Sequence, residues 1–141
     1  LRIYSLSGMF MNNPNLFALG VFLQKAIKGE QIIIRSKSPV LRSYGNGSDI
    51  CKLAWNWLLE KEPIKFQEPI PTVNVTLDLY QLAQAIKNIY KSSTIECKWD
   101  WSNEKDTYIA DTEYFIDALN KYNINPKSLE DQIIDTSTFM R

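Results

Sequence analysis

The sequence predicts one mixed α/β domain built from short strands and about five helices. Three observations carry that prediction. Short β-prone runs alternate with stretches of helical periodicity, several helical stretches open on a capping signature, and no repeat or low-complexity linker divides the 141 residues. A chain of this length suits a single domain with a substantial core.

Leu1 to Leu6 alternates apolar and polar residues and stops at Gly8, which predicts a strand. Because a strand-like run stands at the very first residue, with no initiator methionine, the chain is expected to begin in the middle of a fold. Asn12-Asn13-Pro14-Asn15 is a loop leading into a helix from Leu16 to Lys28, whose positions Leu16, Leu19, Gly20, Leu23, Ala26 and Ile27 share one face. Gly29 supplies a left-handed stop. Residues 31–35 and Val40 to Tyr44 read as two short strands, joined by Ser36-Lys37-Ser38-Pro39 into a hairpin. Gly45-Asn46-Gly47-Ser48 reads as a tight turn, and Asp49 as the cap of a helix running to about Lys61. That helix is expected to bury Ile50, Leu53, Ala54, Trp57 and Leu58, with Pro63 just beyond its end.

Pro69 to Thr76 is an extended segment. Asp78-Leu79-Tyr80-Gln81 has capping-box form, and Leu79, Leu82, Ala83, Ile86 and Tyr90 make one stripe behind it. Thr94 to Trp101 alternates as a half-buried strand does, with Ile95, Cys97, Trp99 and Trp101 on one side and Glu96, Lys98 and Asp100 on the other. Asp111-Thr112 opens a short helix ending near Asn120, where asparagine takes the left-handed turn. Ser128-Leu129-Glu130-Asp131 opens a terminal helix through Ile133 and Ile134.

Composition narrows the function classes. Apolar residues make up 45% and charged residues 23%, as in a soluble globular protein. Sixteen basic side chains balance sixteen acidic ones, so the basic excess of a nucleic-acid surface is missing. No apolar run approaches the roughly 20 residues of a membrane span, and the opening residues carry no signal-peptide pattern. A cytoplasmic protein is expected, with no nucleic acid and no membrane among its partners. Cys51 and Cys97 match no zinc or redox spacing and read as buried free thiols of a reducing compartment.

The chemistry-bearing motifs are sparse. There is no histidine, which removes the commonest general base and metal ligand. The five glycines have no spacing that would cradle a pyrophosphate at a helix start. No tyrosine is followed four residues later by lysine, and no serine sits in a nucleophile elbow. Glu60/Glu62 and Glu130/Asp131 read as solvated helix ends. No catalytic, cofactor-binding or metal-ligating residue is expected in this chain.

The order of elements, together with several local patterns, resembles the C-terminal, substrate-binding region of the Rossmann-type extended short-chain dehydrogenases, the NAD-dependent nucleotide-sugar epimerases and dehydratases. Arg2-Ile3-Tyr4-Ser5-Leu6-Ser7-Gly8 is similar to that family's sixth strand, Arg-x-Phe-Asn-x-x-Gly, with serine for asparagine. Phe17-Ala18-Leu19-Gly20 through Gly29 resembles the helix that follows. Leu41-Arg42-Ser43-Tyr44 with Ser48-Asp49 looks like its Arg-Ser/Asp-Tyr/Trp strand and helix start. Asp78 to Ala83 matches its Ser/Thr-x-x-Glu-Leu-Ala entry, Thr107-Tyr108-Ile109-Ala110-Asp111 its Arg-Tyr-x-x-Asp segment, and Ser128 to Ile133 its closing helix. The chain departs from the pattern where Val73-Asn74-Val75-Thr76 lacks a glycine-rich turn, and where Thr107, Tyr114 and Asn120 replace arginine, a basic residue and glycine.

The resemblance implies a 141-residue substrate-binding domain whose parent uses NAD, bound mainly by an N-terminal part outside this chain together with its glycine-rich loop and Tyr-x-x-x-Lys pair. No cofactor is expected on the chain itself, which would be inactive alone. The implied ligand is a nucleotide-diphosphate sugar. Arg42 is the leading contact, a bidentate fork for the diphosphate; the plainer reading is a surface arginine paired with a local carboxylate. Ser5 would contact the sugar or diphosphate, or bond its own backbone. Asn15, Phe17 and Ala18 stand at a helix N-terminus, where free N–H groups favour anions, although Phe17 equally suits the core. Tyr44 would stack on a base or pack, packing being favoured. Lys105 would substitute for the arginine missing near Thr107, or be a solvated loop lysine. Trp55, Trp57, Trp99 and Trp101 read as core or as a surface covered by the rest of the parent.

Two further expectations follow. A first strand deprived of its sheet neighbours exposes an apolar edge, which predicts a homo-oligomer. A rival function of another class is a non-enzymatic, truncated relative that acts as a protein-interaction module.

Overall fold

In the computed structural model, which describes residues 1–61, 68–91 and 94–140, a four-stranded sheet and a two-stranded sheet are covered by five α-helices. The order is β1 (Ser5–Ser7), a 3₁₀ turn (Pro14–Leu16), α1 (Ala18–Ile27), β2 (Ile32–Ile34), β3 (Val40–Asn46), α2 (Gly47–Leu58), β4 (Val75–Asp78), α3 (Leu79–Tyr90), β5 (Ile95–Cys97), β6 (Asp106–Tyr108), α4 (Glu113–Lys121) and α5 (Leu129–Thr138).

β3 is the axis of the larger sheet. On one edge it pairs antiparallel with β4, Leu41 facing Asp78 and Tyr44 facing Val75. On the other edge β1 and β6 lie end to end, both parallel to it: Ser5 to Ser7 face Tyr44 to Asn46, and Asp106 to Tyr108 face Val40 to Arg42. The rings of Tyr4 and Tyr108 meet across that junction with centroids 4.6 Å apart. The first strand is shorter than its pattern suggested, but Arg2 adds an isolated bridge to Pro71.

The hairpin expected between residues 31 and 44 does not form. β2 pairs in parallel with β5 instead, Ile32 opposite Ile95 and Ile34 opposite Cys97. The physical reason is burial. Ile32 and Ile34 are sealed in the main core with Leu23, Leu82, Ile86 and Ile133, and a parallel partner brought by a helical crossover covers them as a neighbouring hairpin strand would not. Each fully buried aliphatic chain contributes about 1.5–3 kcal/mol by leaving water. α1 packs on α3 and α5 around this core, while Ile50 and Leu53 of α2 meet Phe115 and Leu119 of α4 in a second, smaller one.

Local signals set the helix ends. Asp78 and Gln81 form the full reciprocal box, the Asp78 carboxylate accepting from Gln81 N at 2.7 Å and Gln81 Oε1 from Asp78 N at 2.9 Å. Ser128 and Asp131 do the same for α5. Gly29 takes φ +69°, the left-handed stop.

Several expectations are corrected. The cap of α2 is Asn46, whose Oδ1 accepts from Ser48 N at 2.9 Å, so the strand runs straight into the helix without a tight turn. Asp49 is fully buried and accepts from Lys127 N at 2.8 Å, tying α2 to the loop before α5. Leu58 is exposed, and Pro63 lies outside the described residues. α4 ends through Asn123 at φ +55°, not through Asn120. Both cysteines are free, but Cys51 is exposed because it points off the solvent side of α2, and Cys97 is only half-buried.

Gly45 is required by close approach. A Cβ there would stand 1.9 Å from the Thr72 carbonyl oxygen, so the β3 backbone meets the 72–73 segment with no room for a side chain.

Candidate functional site

On β3, Val40, Arg42 and Tyr44 alternate onto one face, as a strand's two-residue period dictates. Ser5 stands opposite Tyr44 in the parallel pair. Across from them the chain enters α1 through Phe17, whose extended backbone provides no side-chain cap. No side chain caps the first turn of α1, whose Ala18 and Leu19 border a cleft at the positive end of the helix dipole. Together with Leu79, the first residue of α3, these residues enclose a volume of about 260 Å³. A second cleft of about 450 Å³ adjoins it, sharing Leu6 and Phe17 and extending past Met9, Phe10 and Met11.

Four of the six residues singled out by sequence, Ser5, Phe17, Arg42 and Tyr44, thus line one cleft. Asn15, in the 3₁₀ turn, and Lys105, in the loop before β6, are exposed and do not line it. Phe17 is 53% exposed and belongs to the cleft mouth, not to the core. Sequence reading missed Leu6, Leu16, Leu19, Val40 and Leu79 as cleft residues, although the alternation in β3 marked Val40 as a companion of Arg42.

Arg42 is held on three sides. Its Nη2 donates to Asp106 Oδ2 at 2.7 Å, and its Nη1 to Asp106 Oδ1 at 3.2 Å, to the Asp106 carbonyl at 3.1 Å and to its own neighbour's Leu41 carbonyl at 2.8 Å. This is the carboxylate pairing that the plainer reading anticipated, and it sits at the cleft. The guanidinium holds the Asp106 carboxyl below its ordinary value, chiefly through the hydrogen bond. Tyr44, 4% exposed, has its phenol pushed up to about 12 by burial, with the Arg42 charge pulling the other way. Asp106 itself had no local signal, since its partner lies 64 residues away.

The opposite face of β3 fixes the strand. Ser43 Oγ lies 2.6 Å from Thr76 Oγ1 and accepts from Ala110 N at 3.0 Å, which anchors the segment following β6. Behind β1, Ser7 Oγ donates to Gln132 Oε1 at 2.7 Å, and Gln132 Nε2 donates to Asn74 Oδ1 and the Lys127 carbonyl at 3.0 and 3.1 Å. Gln132 and Ser7 are buried, so these bonds replace water that cannot reach them. The wall is therefore preorganised. Among the described residues, no three His, Cys, Asp or Glu side chains converge as a metal site requires, and no helix is long and apolar enough to cross a membrane.

No protein-family model matches the chain, and no curated protein matches it. Solved structures do. A variant of UDP-glucuronic acid 4-epimerase from Bacillus cereus, in complex with a fluorinated UDP-glucuronic acid and NAD, superposes with a TM-score of 0.73 at 16% identity, covering 99% of this chain and 43% of its own. UDP-glucose 4-epimerase from Thermotoga maritima, with UDP-glucose, gives 0.70 at 20% identity over 99% and 44%. A dTDP-glucose 4,6-dehydratase from Bacillus anthracis, in complex with NAD, gives 0.66 at 14% identity over 99% and 43%. The chain thus spans less than half the length of the structures it matches. Its fold is that of the C-terminal part of such extended short-chain dehydrogenases, as the sequence predicted.

Proposed function

We propose that this chain is the nucleotide-sugar-binding part of an NAD-dependent sugar epimerase or dehydratase, with Arg42 as the anchor for the diphosphate. The observation that carries the reading is the gathering of Ser5, Phe17, Arg42 and Tyr44 on one cleft beside the first turn of α1. Arg42 presents a planar, oriented fork, and its partner Asp106 is 58% exposed. An ion pair that open to water is worth only about 0–1 kcal/mol, so a diphosphate with more than one negative charge competes well for the guanidinium. Ser5 would contact the sugar or the diphosphate, and the buried Tyr44 would form the floor.

In such a parent, bound NAD would supply the redox chemistry. The glycines of this chain offer no pyrophosphate cradle, so NAD and the proton-transfer groups are assigned to polypeptide outside these 141 residues. This chain's contribution is to bind and orient, and it is inactive alone. The proposal includes a cytoplasmic location. Self-association through the first strand is supported by Leu1, Ile3 and Leu6, which remain 45–50% exposed although β1 is paired on one edge.

The test is calorimetric titration of the intact parent protein with UDP-, CDP- and dTDP-sugars. Saturable binding of one of them, lost in Arg42→Ala, is expected; no binding of any would overturn the proposal. One observation favours a non-enzymatic interaction role instead: Phe10 and Leu16 stand 70% and 75% exposed beside the cleft. The same titration separates the two readings.

A further inference from the structure

A cavity of about 220 Å³, lined by Tyr80, Cys97, Trp99 and Trp101, shares no lining residue with the β3 cleft. Its two indoles stand edge to face, with centroids 5.3 Å apart and planes at 81°. Trp99 is nearly buried and its Nε1 donates to Ser36 Oγ at 2.8 Å. Trp101 is 70% exposed, yet it stands in a tied turn. Asp100 Oδ1 accepts there from Ser102 N at 3.0 Å and Ser102 Oγ at 2.6 Å, and Asp100 N donates to the Lys37 carbonyl at 2.8 Å. Tyr80 is set by the capping box that opens α3. The rings are thus held in place before any ligand arrives.

We propose that this aromatic corner binds a small compound carrying a trimethylammonium group, held against the faces of its rings. Shape is the first argument. Two ring planes near right angles, in edge-to-face contact, make an inside corner walled by two π faces. A flat ring stacks on only one such wall, whereas a round, tetrahedral group touches both, and Tyr80 closes the same cavity. The volume lies below the roughly 300 Å³ at which pockets begin to take drug-sized ligands, so it suits a single headgroup. Electrostatics is the second argument. Each aromatic face carries partial negative charge, and indole is the best aromatic partner for a cation near its ring centre.

The surroundings select among cations. Lys98, next to Trp99 in sequence, is neutralised by Glu96 at 2.8 Å. Asp100 stands between the two indoles in sequence, and hydrogen bonds from the Ser102 hydroxyl and N–H hold its carboxyl below the ordinary value. That carboxylate adds a diffuse attraction for positive charge. A lysine-type ammonium is disfavoured by its three N–H donors, for which the lining side chains offer one phenol oxygen and one thiol. Methyl groups remove that demand and bury apolar surface against the rings. An anion meets no cationic side chain in the lining.

The experiment titrates the intact parent with tetramethylammonium, with choline and with dimethylbutanol, the uncharged isostere of choline, following tryptophan fluorescence. Both cations are expected to saturate, and the alcohol to bind at least about tenfold more weakly. Trp101→Ala is expected to weaken choline by about tenfold, with Trp101→Phe in between, and an unchanged melting temperature shows that both variants fold. Asp100→Asn keeps an acceptor for Ser102 and is expected to lose a few fold, less at high salt. Sedimentation with phosphatidylcholine vesicles separates the two sources of the group. Protein left in solution assigns the free compound, and pelleting that Trp101→Ala abolishes assigns the lipid headgroup. Equal affinity for choline and the alcohol, choline binding unchanged in Trp101→Ala, or no binding of either cation overturns the proposal. None of these readouts uses a nucleotide sugar, so this proposal and the function proposed above stand or fall separately.

Discussion

Arg42 and Asp106 lie side by side on two parallel strands 64 residues apart in sequence, joined by two guanidinium–carboxylate contacts of 2.7 and 3.2 Å. The pair has two roles that pull against each other. Asp106 aims the fork, and in the function proposed above it would also compete with an anionic ligand for it.

Replacing Asp106 therefore separates these roles. Asp106→Ala removes the competitor, while the Leu41 carbonyl still holds Nη1. Pyrophosphate binding to the parent is expected to tighten by a few fold, with stability changed by less than about 1 kcal/mol because the pair is open to solvent. A large loss of affinity in this variant would show that aiming dominates.

Tyr44 sets an alkaline limit. Its phenol ordinarily titrates near 10, and burial in the fold pushes it up to about 12. The folded state thus favours the neutral ring, a contribution fully present below pH 10 and lost as pH rises from there through about 12. Denaturant unfolding at a series of pH values checks this. The parent should lose stability across that window more steeply than Tyr44→Phe, and identical slopes would contradict the assignment.

Gln132 bridges otherwise separate segments. Gln132→Leu keeps the bulk but takes the donor from Asn74 Oδ1 and the Lys127 carbonyl and leaves Ser7 Oγ only its longer 3.3 Å bond to the Gly45 carbonyl. A cost of about 1–3 kcal/mol is expected, read as a lower urea midpoint at unchanged slope.

Gly45→Ala tests the close approach to Thr72. With 1.9 Å available to the new Cβ, β3 must separate from the 72–73 segment. A loss of about 3 kcal/mol or more is expected, and the fraction of soluble folded protein measures it.

How much of this was legible in the sequence depended on distance along the chain. Asp78/Gln81 and Ser128/Asp131 were readable because donor and acceptor sit three residues apart. The hairpin failed because the true partner of β2 lies some sixty residues downstream, at Ile95 to Cys97, and nothing within Ile32 to Ile34 names it. Asn46 was passed over as a cap because Ser48 and Asp49 offered equally good chemistry two and three residues later. β6 escaped because Asp106-Thr107-Tyr108 is exposed throughout and shows no alternation. Arg42, Tyr44 and Ser5 stand out through their strand patterns and line the cleft, whereas Asn15 and Phe17 share one argument, the N-terminus of a helix, and only Phe17 lines it; Lys105, singled out by its place near Thr107, lies off the cleft.

The bond between Ser7 and Gln132 joins residues 125 positions apart, and Gly8 N donates to Thr136 close by at 2.7 Å. The support of β1 thus comes from α5, 125 residues further along the chain. Closing so long a loop is entropically costly, so this contact is expected to form late in folding, and a chain ending before Gln132 is expected to leave the Ser7 hydroxyl and the Gly8 amide without these partners.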